Sequence, residues 1–348
     1  MIRVAHLLDD FAMGGVTRAL TLFKEPALAA SAHSKVVPVS SDARLASCVE
    51  ADLIVDHMAL SWKRLVFLAS LRARNPKARI VHVEHSYTAS FECAHVKSKT
   101  RFRTMLKVAA TLVDEFICVS NAQKNWLAKI VGIKTDKLSV IYPWTDRTEL
   151  FDLDIARKHR SPKIRLLAYG RYAPVKNFDA LIEAMRRVPP DIVDLTIFGD
   201  GPDREKLEEL SADLGNVCIL GPCDTPGTYL ADCDAVIIPS KSEAFGLVAT
   251  EARMAGRAII VANVDGLPEQ VGSGGFVATM GNADEISQAI LEAAKRDLVQ
   301  MGIQGRTEVR GRSEEIILRW IRLFERASEQ VTEKTTAPEA HELVEAAS

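Results

Sequence analysis

The chain has 348 residues, which is enough for two domains of ordinary size. Hydrophobic residues make up 47% of it and charged residues 26%, which excludes a disordered, collagen-like or disulfide-scaffold protein. No apolar run approaches the roughly 18 residues of a membrane span, the first residues do not form a signal-peptide pattern, and the cysteines form no C-x-x-C pair. We therefore expect a protein of the reducing cytoplasm.

The net charge of −2 hides an asymmetry between the two halves of the chain. Residues 1–150 contain 21 Lys and Arg against 14 Asp and Glu, so that half carries +7, and residues 151–348 carry −9. A basic half favours an anionic partner such as nucleic acid, a phosphorylated glycan or the inner membrane leaflet. Solvated surface lysines and arginines are the alternative explanation.

In the first half, short β-branched runs alternate with helix-length amphipathic stretches. The predicted helices include Ser61–Arg74 and Lys97–Val113. The runs are continuously apolar, so both sheet faces should be covered, as in a parallel, doubly wound sheet. The predicted strands are Ile2–Leu8, Lys35–Val39, Asp52–Asp56, Arg79–Val83, Glu115–Val119 and Leu138–Tyr142.

A charged, proline-containing segment near 145–162 interrupts this pattern, and a second α/β unit follows it. We therefore predict domains at 1–150 and 151–330 and a flexible tail at 331–348, where large apolar residues are few. The predicted strands are Ile164–Tyr169, Leu195–Phe198, Val217–Leu220, Ala235–Ile238 and Ala258–Ala262. The predicted helices are Phe178–Arg187, Asp203–Leu214, Gly246–Ala255, Asp284–Lys295 and Glu314–Ala327.

The first strand-to-helix turn contains Gly14 and Gly15 but not the G-x-G-x-x-G fingerprint of dinucleotide sites. A glycine pair at such a turn lets an anionic ligand approach the backbone amides. A plain tight turn explains the pair equally well.

Two segments of the second half concentrate chemistry at strand ends. Arg171 and Lys176 lie between a strand and a helix, where two cations suit a polyphosphate, although solvated surface cations are the alternative. In Glu243-Ala244-Phe245-Gly246-Leu247-Val248-Ala249-Thr250-Glu251, the amides of Phe245, Gly246 and Leu247 should form the positive end of a helix. Glu243 precedes that helix end and Glu251 lies one to two turns inside the helix.

These segments resemble the GT-B-fold retaining glycosyltransferases of family 4. The shared motifs are GR-x4-KN (Gly170, Arg171, Lys176, Asn177), the G-D-G-P turn (199–202) and the E-x7-E segment (243–251). The resemblance is strong over residues 164–272 and looser over 1–150, where Gly14-Gly15 and His85 are the main matches. It implies an α/β fold of two Rossmann-like, doubly wound parallel-sheet domains that face each other across a cleft.

The resemblance also implies roles for individual residues. Arg171 and Lys176 would bind the pyrophosphate of a nucleotide-sugar, with Gly14, Gly15 and the helix end at Phe245, Gly246 and Leu247. Glu251 would bind the ribose and Glu243 the transferred sugar. His85 would face the reaction centre, although the family often has Asp where this chain has Ser86. The nucleobase would lie against the strand end that contains Leu220, Pro222 and Cys223.

Asp232-Cys233-Asp234 spells the D-x-D signature that binds a metal in a different glycosyltransferase fold. Here it precedes an apolar strand in the middle of the second half, so we interpret it as solvated or capping carboxylates. Arg171, Lys176 and the helix end would supply the positive charge instead. We therefore expect no obligatory metal or other cofactor.

The expected function is transfer of a sugar from a UDP- or GDP-sugar to a hydroxyl of a glycan or lipid-linked acceptor, in polysaccharide or lipopolysaccharide synthesis. The alternatives are a sugar-nucleotide epimerase or hydrolase on the same fold, or a non-catalytic nucleotide-sugar-binding subunit. We expect a cytoplasmic protein, peripheral on the inner face of the plasma membrane, and no nucleic-acid partner. The candidate membrane-binding residues are Lys97, Lys99, Arg101, Arg103 and Lys107.

Overall fold

The computed structural model describes residues 1–11, 14–155 and 163–336, with side chains to residue 330. Within these ranges the strands of the first half are β1 (Ile2–Leu8), β2 (Ala32–Pro38), β3 (Leu53–Asp56), β4 (Arg79–Glu84), β5 (Glu115–Cys118) and β6 (Leu138–Val140). Those of the second half are β7 (Ile164–Arg171), β8 (Val193–Asp200), β9 (Val217–Leu220), β10 (Ala235–Ile238), β11 (Ala258–Ala262) and β12 (Gly275–Ala278).

Helices cover the connections between these strands. The α-helices are α1 (Gly15–Ala19), α2 (Pro26–Ser31), α3 (Trp62–Arg74), α4 (Ala89–His95), α5 (Lys99–Leu112), α6 (Asn121–Trp126), α7 (Phe178–Met185), α8 (Arg204–Ser211), α9 (Gly227–Asp232), α10 (Leu247–Met254), α11 (Ala283–Ala293), α12 (Leu298–Arg310) and α13 (Arg312–Thr336). A π-helical turn spans Leu127–Val131, and 3-10 turns span Leu20–Lys24, Thr135–Lys137, Thr148–Asp152, Pro174–Lys176 and Leu267–Gln270.

The first sheet has the strand order β2-β1-β3-β4-β5-β6, and every neighbouring pair is parallel. The chain moves outward from β1 to β2 and then returns to the other side of β1 to build β3 onward. The strand order therefore reverses between β1 and β3. In open parallel sheets such a reversal leaves a crevice at the carboxyl ends of the two strands, where ligands bind.

The second sheet repeats this arrangement. Its strand order is β12-β11-β10-β7-β8-β9, again all parallel, so the order reverses between β7 and β10. Arg171 ends β7, Lys176 lies in the turn that follows β7, and the loop that carries Glu243 follows β10. The topology alone therefore brings the two charged segments to one crevice.

Two parallel sheets with flanking helices confirm the predicted fold class. The sequence analysis missed β12 and α12, which both contain glycines that lower strand and helix propensity. The glycines of α12 serve a close approach instead. A Cβ on Gly302 would lie 2.1 Å from the carbonyl oxygen of Gly256, so α12 can pack against the preceding segment only with glycine at this position.

The last helix, α13, returns from the second half of the chain to the first sheet, where it packs against α2, β1 and β4. The Trp320 ring meets the Phe23 ring edge-on, with centroids 4.8 Å apart. The helix extends to Thr336, past the start of the predicted tail at residue 331, and residues 337–348 lie outside the described residues. The division at residue 150 stays a prediction.

An ion-pair network fastens α13 to the first sheet. Glu115, at the start of β5, is buried, and its Oε2 lies 2.8 Å from Nη2 of Arg79 and 3.2 Å from Nη2 of Arg326 on α13. Nη1 of Arg79 also donates to Oε1 of Gln330, 2.7 Å away. One carboxylate thus neutralises two guanidinium groups from different elements.

Replacing Glu115 by Gln should lower the free energy of unfolding by about 2 kcal/mol, because it leaves the largely buried Arg79 and the half-exposed Arg326 without their counter-charge. Glu315→Gln is the matched control, since Glu315 pairs with Arg319 on the exposed face of α13 and should contribute less than about 0.5 kcal/mol. Urea unfolding of both variants measures the difference. Equal midpoints would contradict the structural role of Glu115.

Candidate functional site

The crevice of the second sheet brings together the charged residues predicted from the sequence. Lys176 ends the short 3-10 turn after β7, and its Nζ lies 2.5 Å from Oε2 of Glu243 in the loop after β10. Arg171, at the end of β7, is exposed and forms no ion pair with a described residue. A cation and a carboxylate in contact, with a second cation nearby, form a polar site at the sheet edge.

The loop before α10 is fixed by its backbone conformation and by one buried amide. Gly246 has φ +88°, and a Cβ there would lie 2.7 Å from Leu267, so only glycine fits. Nε2 of the buried Gln270 donates to the carbonyl oxygens of Phe245 and Gly246, 2.9 and 2.8 Å away. The amino end of α10, at Leu247, is thereby held beside Glu243, where its amides can attract an anion.

Glu251, inside α10, is completely buried and already has partners. Its Oε2 accepts from the Tyr169 hydroxyl at 2.8 Å, and its Oε1 lies 3.5 Å from Nη1 of Arg18 and 3.4 Å from Nε of Arg147. Burial raises the pKa of Glu251, and the two arginines and the Tyr169 hydroxyl oppose that rise. Sequence reasoning missed Arg18 and Arg147, because neither belongs to a motif that predicts a contact across the cleft.

Loops from the two sheets meet at Asp265, in the loop after β11. Its Oδ1 accepts from the backbone amide of Ser90 on α4, and its Oδ2 accepts from Ser242 Oγ and from the amide of Glu243, each at 3.1 Å. A hydrogen bond of 2.9 Å joins the hydroxyls of Thr88 and Ser242. The carboxylate thus orients the Glu243 loop against the first half of the chain.

Glu269 makes a second bridge between the halves. Its carboxylate accepts from the backbone amides of Asn121 and Ala122 at 2.9 and 2.6 Å, which satisfies free amides at the start of α6. The Tyr142 hydroxyl donates to the same carboxylate at 2.8 Å. Ser120 caps this helix locally, and Glu269 satisfies two further amides from the opposite half of the chain.

His85 lies in the first half, directly after β4, and contacts a second histidine that the sequence analysis did not single out. Its Nε2 is 2.9 Å from Nδ1 of His57, which follows β3. Both rings line an apolar cavity together with Trp144 and Trp320. Burial lowers the pKa of His85 to about 4, and the nearby Glu84 carboxylate only partly opposes that effect.

The Gly14-Gly15 turn follows β1, at the strand-order reversal of the first sheet. The amide of Gly14 donates to Thr17 Oγ1 at 2.9 Å, and a Cβ added to Gly15 would meet no atom within 4 Å. Packing therefore does not require glycine at position 15. The preceding residues 12–13 lie outside the described residues.

The predicted nucleobase segment lies at the end of β9, two strands from Arg171 in the second sheet. The carbonyl oxygen of Leu220 accepts from the Tyr172 hydroxyl at 2.6 Å. Pro222 is exposed and Cys223 is partly exposed. Nη2 of Arg147 donates to the carbonyl oxygen of Asp224 at 2.9 Å, so this arginine connects the segment to Glu251.

Two further predicted features have structural partners. Asp234, of the D-x-D sequence, accepts from the backbone amide of Arg165 at 2.7 Å and pairs with its guanidinium at 3.1 Å, which fastens β10 to β7. Of the predicted membrane-binding cations, Arg103 forms a two-point ion pair with Glu92, with Nε and Nη2 at 2.7 and 3.0 Å from the two carboxylate oxygens. In the described part of the chain, no group of three metal-ligating side chains is assembled.

The other four predicted cations, Lys97, Lys99, Arg101 and Lys107, are exposed on or beside α5. The Arg101 guanidinium lies 5.7 Å from the ring centroid of the exposed Trp62 at the start of α3. Val66 on α3 and Val108 on α5 are also exposed. The Arg101 contact thus places a cation beside an exposed aromatic ring where α5 lies next to α3. None of the described helices is long and apolar enough to span a bilayer.

Two family models match consecutive parts of the chain: one described as Glycosyl transferases group 1 matches residues 152–307, and one described as Glycosyltransferase Family 4 matches residues 27–149. An uncharacterised glycosyltransferase of Methanocaldococcus jannaschii is 29% identical over 206 residues, which cover 57% of this chain and 54% of that protein. The D-inositol 3-phosphate glycosyltransferase of Nocardia farcinica is 28% identical over 249 residues, which cover 64% of this chain and 54% of that protein.

The matched regions span about half the length of these curated relatives. Among solved structures, HepE of Anabaena in complex with UDP superposes with a TM-score of 0.73 at 20% identity, over 93% of this chain and 99% of that one. This likeness shows the fold, and the two family models together cover the second sheet and all strands of the first sheet except β1. The chain belongs to the group 1 and family 4 glycosyltransferases and has their GT-B fold.

Proposed function

We propose that this protein transfers a sugar from a UDP- or GDP-sugar to a hydroxyl of a glycan or lipid-linked acceptor, with retention at the anomeric carbon. The donor lies in the crevice between β7 and β10 of the second sheet. Retention is inferred from the family resemblance of the Arg171, Lys176 and Glu243 motifs. The UDP complex of the structurally similar HepE supports a nucleotide donor.

The observation that carries the proposal is the contact between Lys176 and Glu243. Their charged atoms are 2.5 Å apart, so a ligand that contacts both side chains would present its two bound groups next to each other. A cation suits a phosphate and a carboxylate suits sugar hydroxyls. A nucleotide-sugar joins these two parts by a single bond, which is the bond that a transferase breaks.

The charges of the crevice match the charge that develops in the reaction. Breaking the bond between sugar and pyrophosphate places negative charge on the leaving oxygen, while the sugar becomes cation-like. Arg171, Lys176 and the amides at the start of α10 would stabilise that oxygen more in the transition state than in the ground state. Glu243 would stabilise the sugar, and no metal is needed for the charge balance.

Glu251 suits the ribose of the donor because its carboxylate is held in one orientation by Tyr169. Its Oε1 is shared with Arg18 and Arg147 at 3.4 to 3.5 Å, which are long contacts for ion pairs. A ribose hydroxyl could donate to this oxygen while the two arginines turn toward phosphate oxygens. Arg18 would then bring the turn at Gly14 and Gly15 to the donor.

The alternative activities differ in what they require of an acceptor. A hydrolase releases nucleotide without an acceptor, an epimerase changes the sugar without releasing nucleotide, and a non-catalytic subunit binds without turnover. The Glu243 loop contacts the first half of the chain through Asp265, which accepts from the amides of Glu243 and Ser90. Such a two-sided site favours transfer to an acceptor that enters from the first half.

Purified protein should release nucleotide from a UDP- or GDP-sugar only when a hydroxyl acceptor is present. Lys176→Ala should lower donor affinity or turnover tenfold or more, because a charge-assisted phosphate contact contributes about 1.5 to 3 kcal/mol. Lys241→Ala is the matched control, since Lys241 is an exposed lysine on the neighbouring loop whose backbone amide bonds to Val175. Nucleotide-release assays and calorimetry with UDP and GDP measure both effects.

Wild-type kinetics in Lys176→Ala would contradict the assignment of the phosphate site. Release that is independent of acceptor would favour the hydrolase. Binding of nucleotide-sugar without any release, across glycan, lipid-linked and phosphorylated acceptors, would favour an epimerase if the sugar changes and a non-catalytic subunit if it does not.

We further propose that the exposed cations of α5 hold the protein on the anionic inner face of the plasma membrane, where a lipid-linked acceptor is presented. The stacking of Arg101 near Trp62 places an interfacial aromatic ring beside the charges. Arg103 is omitted from this surface because its charge is used by Glu92. A phosphorylated soluble acceptor remains the alternative that the binding experiment separates.

Replacing Lys99 and Arg101 by Ser should weaken binding to anionic vesicles roughly 30-fold, because each cation near such a surface contributes about 1 kcal/mol. Lys35 and Arg44, which are exposed near the opposite edge of the first sheet, give a double Ser variant of equal net charge as control. Co-sedimentation with anionic and neutral vesicles at low and high salt measures the effect. Equal binding by both variants, or binding independent of lipid charge, would refute the membrane surface.

A further inference from the structure

Three histidine rings form one hydrogen-bonded chain behind the cleft. Nδ1 of His6, on β1, lies 3.0 Å from Nε2 of His57, and Nδ1 of His57 lies 2.9 Å from Nε2 of His85. His6 is 1% exposed and His57 is 7% exposed. The chain of rings therefore leads from the interior of the first sheet to the histidine at the cleft.

The two hydrogen bonds couple the protonation of all three rings. A neutral imidazole carries one N–H and one bare nitrogen, so each contact needs an N–H on one side only. If His6 carries its proton on Nδ1, His57 must accept at Nε2 and carry its proton on Nδ1, and His85 must do the same. The alternative set has every proton on Nε2. His85 cannot change its tautomer alone without breaking a hydrogen bond.

The environment of His6, at the buried end of the histidine row, determines which of the two sets of tautomers is favoured. Nε2 of His6 is buried and has no hydrogen-bond partner among the described residues, and the neighbouring ring of Phe23, with its centroid 4.1 Å from that of His6, offers no acceptor oxygen or nitrogen. A proton on that nitrogen would be a buried N–H without an acceptor, which is rare in proteins and costly. An unprotonated nitrogen at that position costs less free energy than an N–H without an acceptor.

Burial also keeps the three rings uncharged. It lowers the pKa of His6 to about 3 and that of His85 to about 4, and it places the pKa of His57 well below its usual range. His82 is different, because Asp56 and Glu84 flank it and raise its pKa to about 9 despite burial. The charged histidine, His82, is thus not part of the hydrogen-bonded row of His6, His57 and His85.

We propose that His6 and His57 are positioning residues that fix His85 in the Nδ1–H tautomer, so that His85 meets the ligand as a hydrogen-bond donor and not as a base. Nδ1 of His85 forms no hydrogen bond with a described residue, which leaves it available for an oxygen of the substrate. The ligand class is an oxygen acceptor: a sugar hydroxyl or a phosphate oxygen of the donor. That this oxygen belongs to a nucleotide-sugar rests on the proposed function, but the tautomer does not.

Nitrogen-15 NMR of histidine-labelled protein at pH 7 tests the proposal without any substrate. Long-range correlations distinguish Nδ1–H, Nε2–H and doubly protonated rings. His6, His57 and His85 should all appear mainly as Nδ1–H, and His82 should give the doubly protonated signature that serves as an internal reference. An Nε2–H signal for His85 in the wild-type protein would overturn the proposal.

Variants of His6 and His57 test this coupling. In His6→Leu, Nε2 of His57 becomes the buried end of the row, and the same argument keeps it unprotonated, so His85 should stay in the Nδ1–H form. His57→Leu removes the donor to His85, which is partly exposed, and should shift it toward the Nε2–H form that a neutral imidazole prefers in water, with turnover falling more than nucleotide affinity. His6→Asn should keep the wild-type tautomer, because its amide nitrogen can donate from about the position of Nδ1. His33→Gln, at an exposed position on β2, is the control and should change nothing.

An unchanged His85 signal in a folded His57→Leu protein would overturn the proposal. Should that variant fail to fold, the wild-type spectrum and His6→Asn decide the matter alone. If the three histidines show the expected tautomers but the protein transfers no sugar, the proposed function is contradicted. The proposed roles of His6 and His57 in fixing the His85 tautomer are not.

Discussion

A parallel sheet brings the carboxyl ends of all its strands to one edge, and a reversal of strand order parts the loops at that edge into a crevice. This constraint acts twice in the chain, between β1 and β3 and between β7 and β10. Lys176 and Glu243 follow β7 and β10, Glu251 lies in the helix after β10, and Arg18 lies in the helix after β1. The site therefore depends on topology first and on the individual loops second.

The two crevices are held face to face by carboxylates of the second half that satisfy backbone amides of the first. Asp265 accepts from the amide of Ser90, and Glu269 accepts from the amides of Asn121 and Ala122. Hydrogen bonds of this charge-assisted kind are strong but depend on geometry. A small rotation of one half would break them together, so opening and closing of the cleft is expected to be a concerted step. Arg18 and Glu251 would separate in the same motion.

The sequence was sufficient for the elements whose burial pattern is local. Continuous apolar runs predicted β10 and β11 with their observed bounds, because a strand covered on both faces needs apolar residues throughout. The family resemblance implied that Lys176 and Glu243 bind adjoining parts of one ligand, and the structure brings their charged atoms into contact. By contrast, β12 and α12 were missed because their glycines serve close packing with distant segments, which local propensity does not record.

Contacts between residues far apart in the sequence could not be predicted, for a different reason. His6, His57 and His85 lie far apart in the chain, on or after β1, β3 and β4, and only the sheet order makes them neighbours. Arg18 and Glu251 are separated by more than half the chain. The basic residues of α5 were identified from the sequence. The ion pair between Arg103 and the buried Glu92 was not, because it depends on how α5 packs against α4. Charge patterns show which residues can pair, and the fold decides which do.

The central claim is that one donor site is built from both halves of the chain. Amide hydrogen exchange with and without saturating UDP or GDP tests it most directly. The account predicts slower exchange both at the Gly14-to-Arg18 turn and at the loops of Lys176 and Gly246, with β2 and β12 at the sheet edges unchanged. Protection confined to the second half, or protection at neither loop despite measured binding, would contradict it.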